Sequence, residues 1–256
     1  MFAKPTTMTD QAELITRRNR DLSEALAALY AALAGYATPS KLDASSLRDG
    51  EAILADLRSA PLNALSAAAL GPYASFALTT VGDVAGYKHF LPRIVHLAVL
   101  GNHGQPGLDA TLIASKLIYA RWRDWPDRER DAIIQVFEAA WARLHLNHPD
   151  KCDAGEWLCA AAMLNLEILP KLNLWLADTL PSSMVQFVQF VISTANLADP
   201  KDFWEEVSPG IRAAIIEWLG REEVSLWLLE KEEEVPERDR WLFGQAWEVL
   251  ASRHGG

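Results

Sequence analysis

Apolar residues return along most of this chain every three or four positions, and nowhere alternate for long with period two, so the pattern predicts helices throughout and no strand. Leu14, Leu22, Leu26, Leu29 and Leu33 form one stripe of a first helix ending near Gly35, with Thr9 as its cap and Asp10 and Glu13 in its first turn. The segment Thr38–Ser46 has loop composition, and a second helix is expected over about 47–59. Ser66 predicts the N-cap of a third, reaching about Thr80, with a kink or restart at Pro72. Asp83 predicts another cap. Pro92 is expected to break the segment and open a new helix to Leu100. After a loop at 101–107, helices are expected at about 108–122, 127–146, 154–168, 171–179, 182–196, 202–207, 209–219, 221–233 and 237–252. Pro126 and Pro236 stand at two of their starts.

The expected fold is therefore all-α: an irregular array of antiparallel helix pairs, or a short HEAT-like α-solenoid. A faint internal echo favours the solenoid. LPRIVHLA from Leu91 resembles LPKLNLWLA from Leu169, and AIIQVF from Ala132 resembles AIIEWL from Ala214. Those offsets are about twice a HEAT period. The chain reads as a single all-helical domain over 1–256, with a looser Ala/Leu-rich part to about residue 80 and a Trp-rich part from about 105. All ten tryptophans lie between Trp122 and Trp247. They can fill a core or line a groove, and core filling is the expected use.

Two uncharged runs, 59–82 and 179–198, are long enough to span a bilayer. Pro61, Asn63 and Pro72 in the first, and Pro181, Gln186, Gln189 and Asn196 in the second, argue instead for burial in protein. The N-terminal MFAKPTTMTDQ has no apolar stretch and reads as no secretory signal. Cys152 and Cys159 are the only cysteines, expected as buried thiols in a reducing cytoplasm. A net charge of −10 weighs against nucleic acid and favours a basic protein partner.

Candidate chemistry is sparse. Asp83, Lys88, His89 and Arg93 cluster in the segment VGDVAGYKHFLPR. A His–Asp pair with an arginine beside it can do acid–base work or hold an anion. The same residues also suit a helix junction, with Asp83 as cap and the cations on carboxylates or solvent, and that is the preferred reading. His145, His148 and Cys152 are weak zinc candidates, because Pro149 ends the helix and the spacing fits no standard finger. No metal or cofactor is expected. Glu222, Glu223, Glu230, Glu232, Glu233, Glu234, Glu237 and Asp239 make the C-terminal region acidic, with Arg221, Lys231, Arg238 and Arg240 interleaved. No phosphate-binding Gly-rich loop, metalloprotease helix or nucleophile elbow is present.

The run Thr79–Arg93 (TTVGDVAGYKHFLPR) resembles the signature of an uncharacterised family of bacterial all-helical proteins, a T-x-G-D segment followed by F-L-P-R and a Leu-rich helix. Pro61–Tyr73 and Trp218–Glu230 are similar to other blocks of that family. Some members carry paired cysteines after the first helix; Ser40–Ser46 here has none, so no metal role carries over. The resemblance implies a bacterial, soluble, helical protein and supplies no catalytic residue. The expected function is a non-enzymatic cytoplasmic protein-interaction or regulatory module, immunity-like in covering a partner. The alternative is a small-ligand binder or enzyme centred on Asp83, Lys88, His89 and Arg93.

Overall fold

The computed structural model describes residues 8–101 and 105–254. Among these residues the chain forms twelve α-helices, joined by loops and short 3-10 turns, and no strand beyond isolated bridges. In chain order the helices are α1 Met8–Leu33, α2 Gly50–Leu57, α3 Ala67–Phe76, α4 Val84–Val99, α5 Ala110–Tyr119, α6 Asp127–Leu144, α7 Ala154–Met163, α8 Leu169–Leu176, α9 Pro181–Ser193, α10 Pro209–Leu219, α11 Glu222–Lys231 and α12 Trp241–His254. The all-α expectation holds. None of the described helices is long and apolar enough to cross a membrane. The two uncharged runs resolve into α3 and α9 with breaks on either side.

Local sequence explains several helix starts. Asp49 Oδ1 accepts from Ala52 N at 2.9 Å to open α2, Ser66 Oγ from Ala69 N at 3.2 Å to open α3, and Asp83 Oδ1 from Gly86 N at 2.8 Å to open α4. Asp153 does the same for α7 and Ser208 for α10. Helix α1 starts at Met8, one residue before the expected cap Thr9, whose side chain lies outside the described residues. So do residues 102–104 of the expected loop at 101–107.

Pro92 does not divide its segment. Helix α4 runs unbroken from Val84 to Val99 with Pro92 inside it. An interior proline costs about 3 kcal/mol through a lost hydrogen bond and a ring clash. Tyr87, Phe90, Leu91, Ile94 and Val95 on the same helix are all 1% exposed or less. Each such side chain contributes about 1.5–3 kcal/mol on burial, so their sum exceeds the proline penalty. Helix α3 likewise continues through Pro72. It stops at Phe76, short of the expected Thr80, because the chain turns there with Leu78 at φ 67.

Two compact units divide the chain, one formed by residues 1–20 with 141–256 and the other by 21–140. The boundaries fall inside α1 and α6, not at the change of composition near residue 105. In the 21–140 unit, α4 is the central rod, packed with α3 and α5. Tyr73 meets Phe90 edge-on at 5.0 Å, and of the predicted stripe, Leu22, Leu26, Leu29 and Leu33 are buried, while Leu14 is half-buried.

In the other unit, α9 is the centre and packs with α7, α8 and α12. Phe187 meets Trp175, Trp218 and Trp227 at ring distances of 5.6, 6.1 and 5.0 Å. Three of the indole N–H groups find acceptors: Trp175 on Ser183 O, Trp218 on Asn173 Oδ1, Trp227 on Leu176 O; that of Trp141 has none. Eight tryptophans are buried, so core filling accounts for most of them; Trp241 and Trp247 on α12 are 61% and 40% exposed.

The sequence echo falls on helices of unequal length, α4 with 16 residues against α8 with 8, and α6 with 18 against α10 with 11.

Asp83→Ala is expected to lower unfolding stability by about 1 kcal/mol, and Asp83→Asn by much less, because Asn also caps. Urea denaturation of the purified chain checks this; equal loss in both variants would contradict the cap.

Candidate functional site

Where Asp83, Lys88, His89 and Arg93 go decides between a reactive centre and a junction. Asp83 spends its carboxylate on the first turn of its own helix. Lys88, one turn further, is buried. Its Nζ donates to Glu129 Oε2 at 2.6 Å and to Tyr36 Oη at 2.8 Å. Tyr36 Oη in turn donates to Glu129 Oε1 at 2.8 Å. The ammonium also lies 4.1 Å from the Trp125 ring and 4.8 Å from the Tyr36 ring. This closes a ring of charge-assisted hydrogen bonds in which each member satisfies the others.

His89 points along the same loop. Its Nδ1 lies 2.7 Å from the Tyr36 carbonyl oxygen and its Nε2 lies 3.0 Å from Thr38 Oγ1. A carbonyl only accepts, so Nδ1 carries a hydrogen, while Nε2 pairs with the threonine hydroxyl. Arg93 turns elsewhere: Nε donates to Leu65 O at 2.8 Å, tying α4 to the end of the 62–65 turn. Lys88 and His89 thus share Tyr36, while Asp83 and Arg93 take separate partners. Each of the four is engaged in holding backbone or a buried neighbour.

Sequence reading missed Tyr36, Trp125 and Glu129, the partners that define the Lys88 cluster. Tyr36 sits just beyond α1 and Glu129 in the first turn of α6, where an acid is already accounted for by the helix dipole. A separation of 41 residues between Lys88 and Glu129 leaves no local signal.

The expected zinc candidates do not come together. Helix α6 ends at Leu144, so His145 and His148 share no helical face. His148 lies 3.1 Å from Asp239 Oδ1 through Nε2, with Nδ1 facing Asp150. Cys152 is buried. Its Sγ donates to Leu144 O at 3.6 Å and accepts from Gln186 Nε2, and burial pushes the thiol away from the thiolate a metal needs. Among the described residues no group of three histidine, cysteine or acidic side chains is placed to hold a metal ion.

His145 belongs instead to a second buried polar cluster. Its ring stacks on Trp175 at 4.8 Å, with Trp141 edge-on at 4.3 Å. Nδ1 lies 3.5 Å from Asp178 Oδ2, and the same oxygen accepts from Arg18 Nη2 at 2.5 Å. His145 Nε2 has no hydrogen-bond partner. Protonating the ring would place a second N–H in that apolar box. Burial therefore lowers the His145 pKa, against the opposing pull of Asp178. Burial alone would raise the Asp178 carboxyl. The His145 hydrogen bond and the Arg18 guanidinium outweigh it and hold the pKa well below the usual carboxylate range. Neither Arg18 nor Asp178 was singled out from sequence, since 160 residues separate them.

Comparison with protein-family models, with curated proteins and with solved structures gives no match. No family model therefore supports the resemblance drawn from Pro61–Tyr73, Thr79–Arg93 and Trp218–Glu230.

Both ends of the His145–Asp178 contact give acid sensitivity of one sign. The unfolded chain takes up a proton on histidine near pH 6.5 while folded His145 does not, so stability falls as pH drops below about 6.5. Asp178 adds a further loss as pH falls through the carboxylate range. Urea midpoints between pH 7.5 and 5 are expected to give a slope smaller in His145→Asn than in the parent, by up to about 1.4 kcal/mol per pH unit. An unchanged slope would show that His145 titrates equally in both states.

Proposed function

We propose that this chain is a non-enzymatic protein-interaction module, a cytoplasmic regulatory or immunity-like helical protein that covers a basic partner. One observation carries the reading: large apolar side chains stand exposed in the acidic C-terminal region. Leu226 is 48% and Leu229 is 61% exposed on α11, and Trp241 is 61% exposed at the start of α12. Helix α11 buries Val224, Trp227 and Leu228, so Leu226 and Leu229 lie on its opposite side. Helical spacing places Glu222 on that side too, and Glu223 and Glu230 beside it; all three are exposed. Apolar anchors rimmed by carboxylates match a partner segment that carries both aliphatic and basic side chains.

Support also comes from the polar residues. Asp83, Lys88, His89 and Arg93 are each occupied in joining helices, which favours this reading over a small-ligand or catalytic centre on those four. Helical arrays bind through surface faces and need no catalytic cluster.

Affinity capture from native cells, with the parent chain and with a Leu226→Ser/Leu229→Ser/Trp241→Ser variant, tests the reading. The expected result is a basic protein retained by the parent, confirmed by titration of the two purified proteins, and weakened at least about tenfold in the variant and by raised salt. A variant that retains the same protein with equal affinity would overturn the surface. Turnover of a small substrate, abolished by His89→Ala in a folded protein, would overturn the function.

A further inference from the structure

The motif TTVGD, with which the Thr79–Arg93 segment opens, is only partly used by the Asp83 cap. Its first residues form a tight turn after α3. The amides of Thr79, Thr80 and Val81 all reach Phe76 O, and Leu78 is held at φ 67. The loop before α2 runs beside this turn. Ser45 N donates to Thr80 O at 2.9 Å and Gly82 N to Asp43 O at 2.7 Å, and Ala44 pairs with Val81 in an isolated bridge.

Two cations meet this turn. The Arg48 guanidinium carbon lies 3.5 Å from the Phe76 ring centre. Lys116, from the outer half of α5, reaches Thr79 Oγ1 at 3.3 Å. Neither has a carboxylate partner among the described residues. Lys116 is only 5% exposed, and that one long hydrogen bond serves an ammonium with three N–H donors. Burial lowers its pKa, as expected for a charge without a counter-ion. Arg48 Nε is buried without an acceptor, and so are the hydroxyls of Ser45 and Thr80.

A buried ammonium normally recruits a carboxylate, as Lys88 does with Glu129. The chain has 34 carboxylate side chains, and among the described residues none pairs with Lys116 or Arg48. The compensating charge is therefore best supplied from outside. We propose that the 76–81 turn is an anion site that takes a phosphate group, held by Lys116 Nζ, the Arg48 guanidinium and the hydroxyl of Thr79. Thr79 is exposed and Ser45, Arg48 and Thr80 are half-buried, so the site opens to solvent at the turn. Phosphate oxygens can accept from Lys116 Nζ, from the Thr79 hydroxyl and from the terminal N–H groups of the planar Arg48 guanidinium. The site is separate from the α11 and α12 surface and does not depend on it.

Titration of the full-length chain with inorganic phosphate and with glycerol 3-phosphate, against sodium chloride at equal ionic strength, tests the proposal. Calorimetry and phosphorus NMR line width report binding. Both probes are expected to saturate one site and raise the melting temperature. Tighter binding of the ester would identify a phosphomonoester as the occupant, and equal binding would identify the phosphate group alone. Lys116→Met is expected to fold, to melt no lower than the parent without phosphate because the unpaired charge is gone, and to lose about tenfold or more in affinity. Arg48→Gln, at a less buried position, is expected to weaken binding without loss of the fold. The proposal is overturned if the parent binds neither probe, if chloride reproduces the stabilisation, or if folded Lys116→Met and Arg48→Gln bind as the parent does. Should Lys116→Met fail to fold, Arg48→Gln decides alone.

Discussion

The buried pair of Lys88 and Glu129 is the constraint on which the 21–140 unit turns. Both side chains are 8% exposed, so both charges have left water at a cost of several kcal/mol each. That cost is recovered only if the contact is short and the remaining polar atoms are satisfied. Here the contact is 2.6 Å, Tyr36 bridges the two groups, and Trp125 and Tyr36 present ring faces to the ammonium. Three separate stretches of chain are thereby fixed: the end of α1, the middle of α4 and the start of α6. The interior proline of α4 lies one turn beyond Lys88, and the helix continues through that point between the clamp and the buried aromatic residues.

The second unit solves the same problem with different chemistry. Its centre is aromatic: α9 presents Phe187 and Phe190 to a ring of tryptophans whose N–H groups are capped by backbone or asparagine oxygens. A deeply buried charge pair, Arg18 with Asp178, is shared with a histidine whose pKa burial lowers. Gln186, also on α9, bonds the carbonyls of Asn147 and Cys152 and the amide of Ala154, and so holds the loop that carries the cysteine in place. Lys116 is the contrast to these paired groups, a cation that among the described residues bonds only a hydroxyl.

Local chemistry was legible from the residues, and long-range pairing was not. The caps at Ser66 and Asp83, the leucine stripe of α1 and the all-helical class follow from spacing and side-chain type, because each is decided within one or two turns. Pro92 was misread as a break because a local penalty of about 3 kcal/mol is visible in sequence, whereas the burial that exceeds it is not. His145 and His148 looked like neighbours at helical spacing, but the helix stops at Leu144 and the two rings face Asp178 and Asp239. The partners of Lys88 lie 52 residues before it and 41 after it, and no periodicity relates them. Lys116 was passed over for a similar reason: an isolated lysine at the end of an apolar run reads as solvent-facing until its burial is seen.

The central claim is that the buried polar groups around position 88 join helices, with each buried charge depending on its partner. A double-mutant cycle on Lys88→Met and Glu129→Leu, followed by urea unfolding, tests it most directly. Each single change is expected to cost about 3–5 kcal/mol by stranding the opposite charge, while the double change, which leaves neither charge buried, is expected to restore most of that loss. Additive losses, with the double variant less stable than either single one, would mean that the two charges do not depend on each other and would contradict the account.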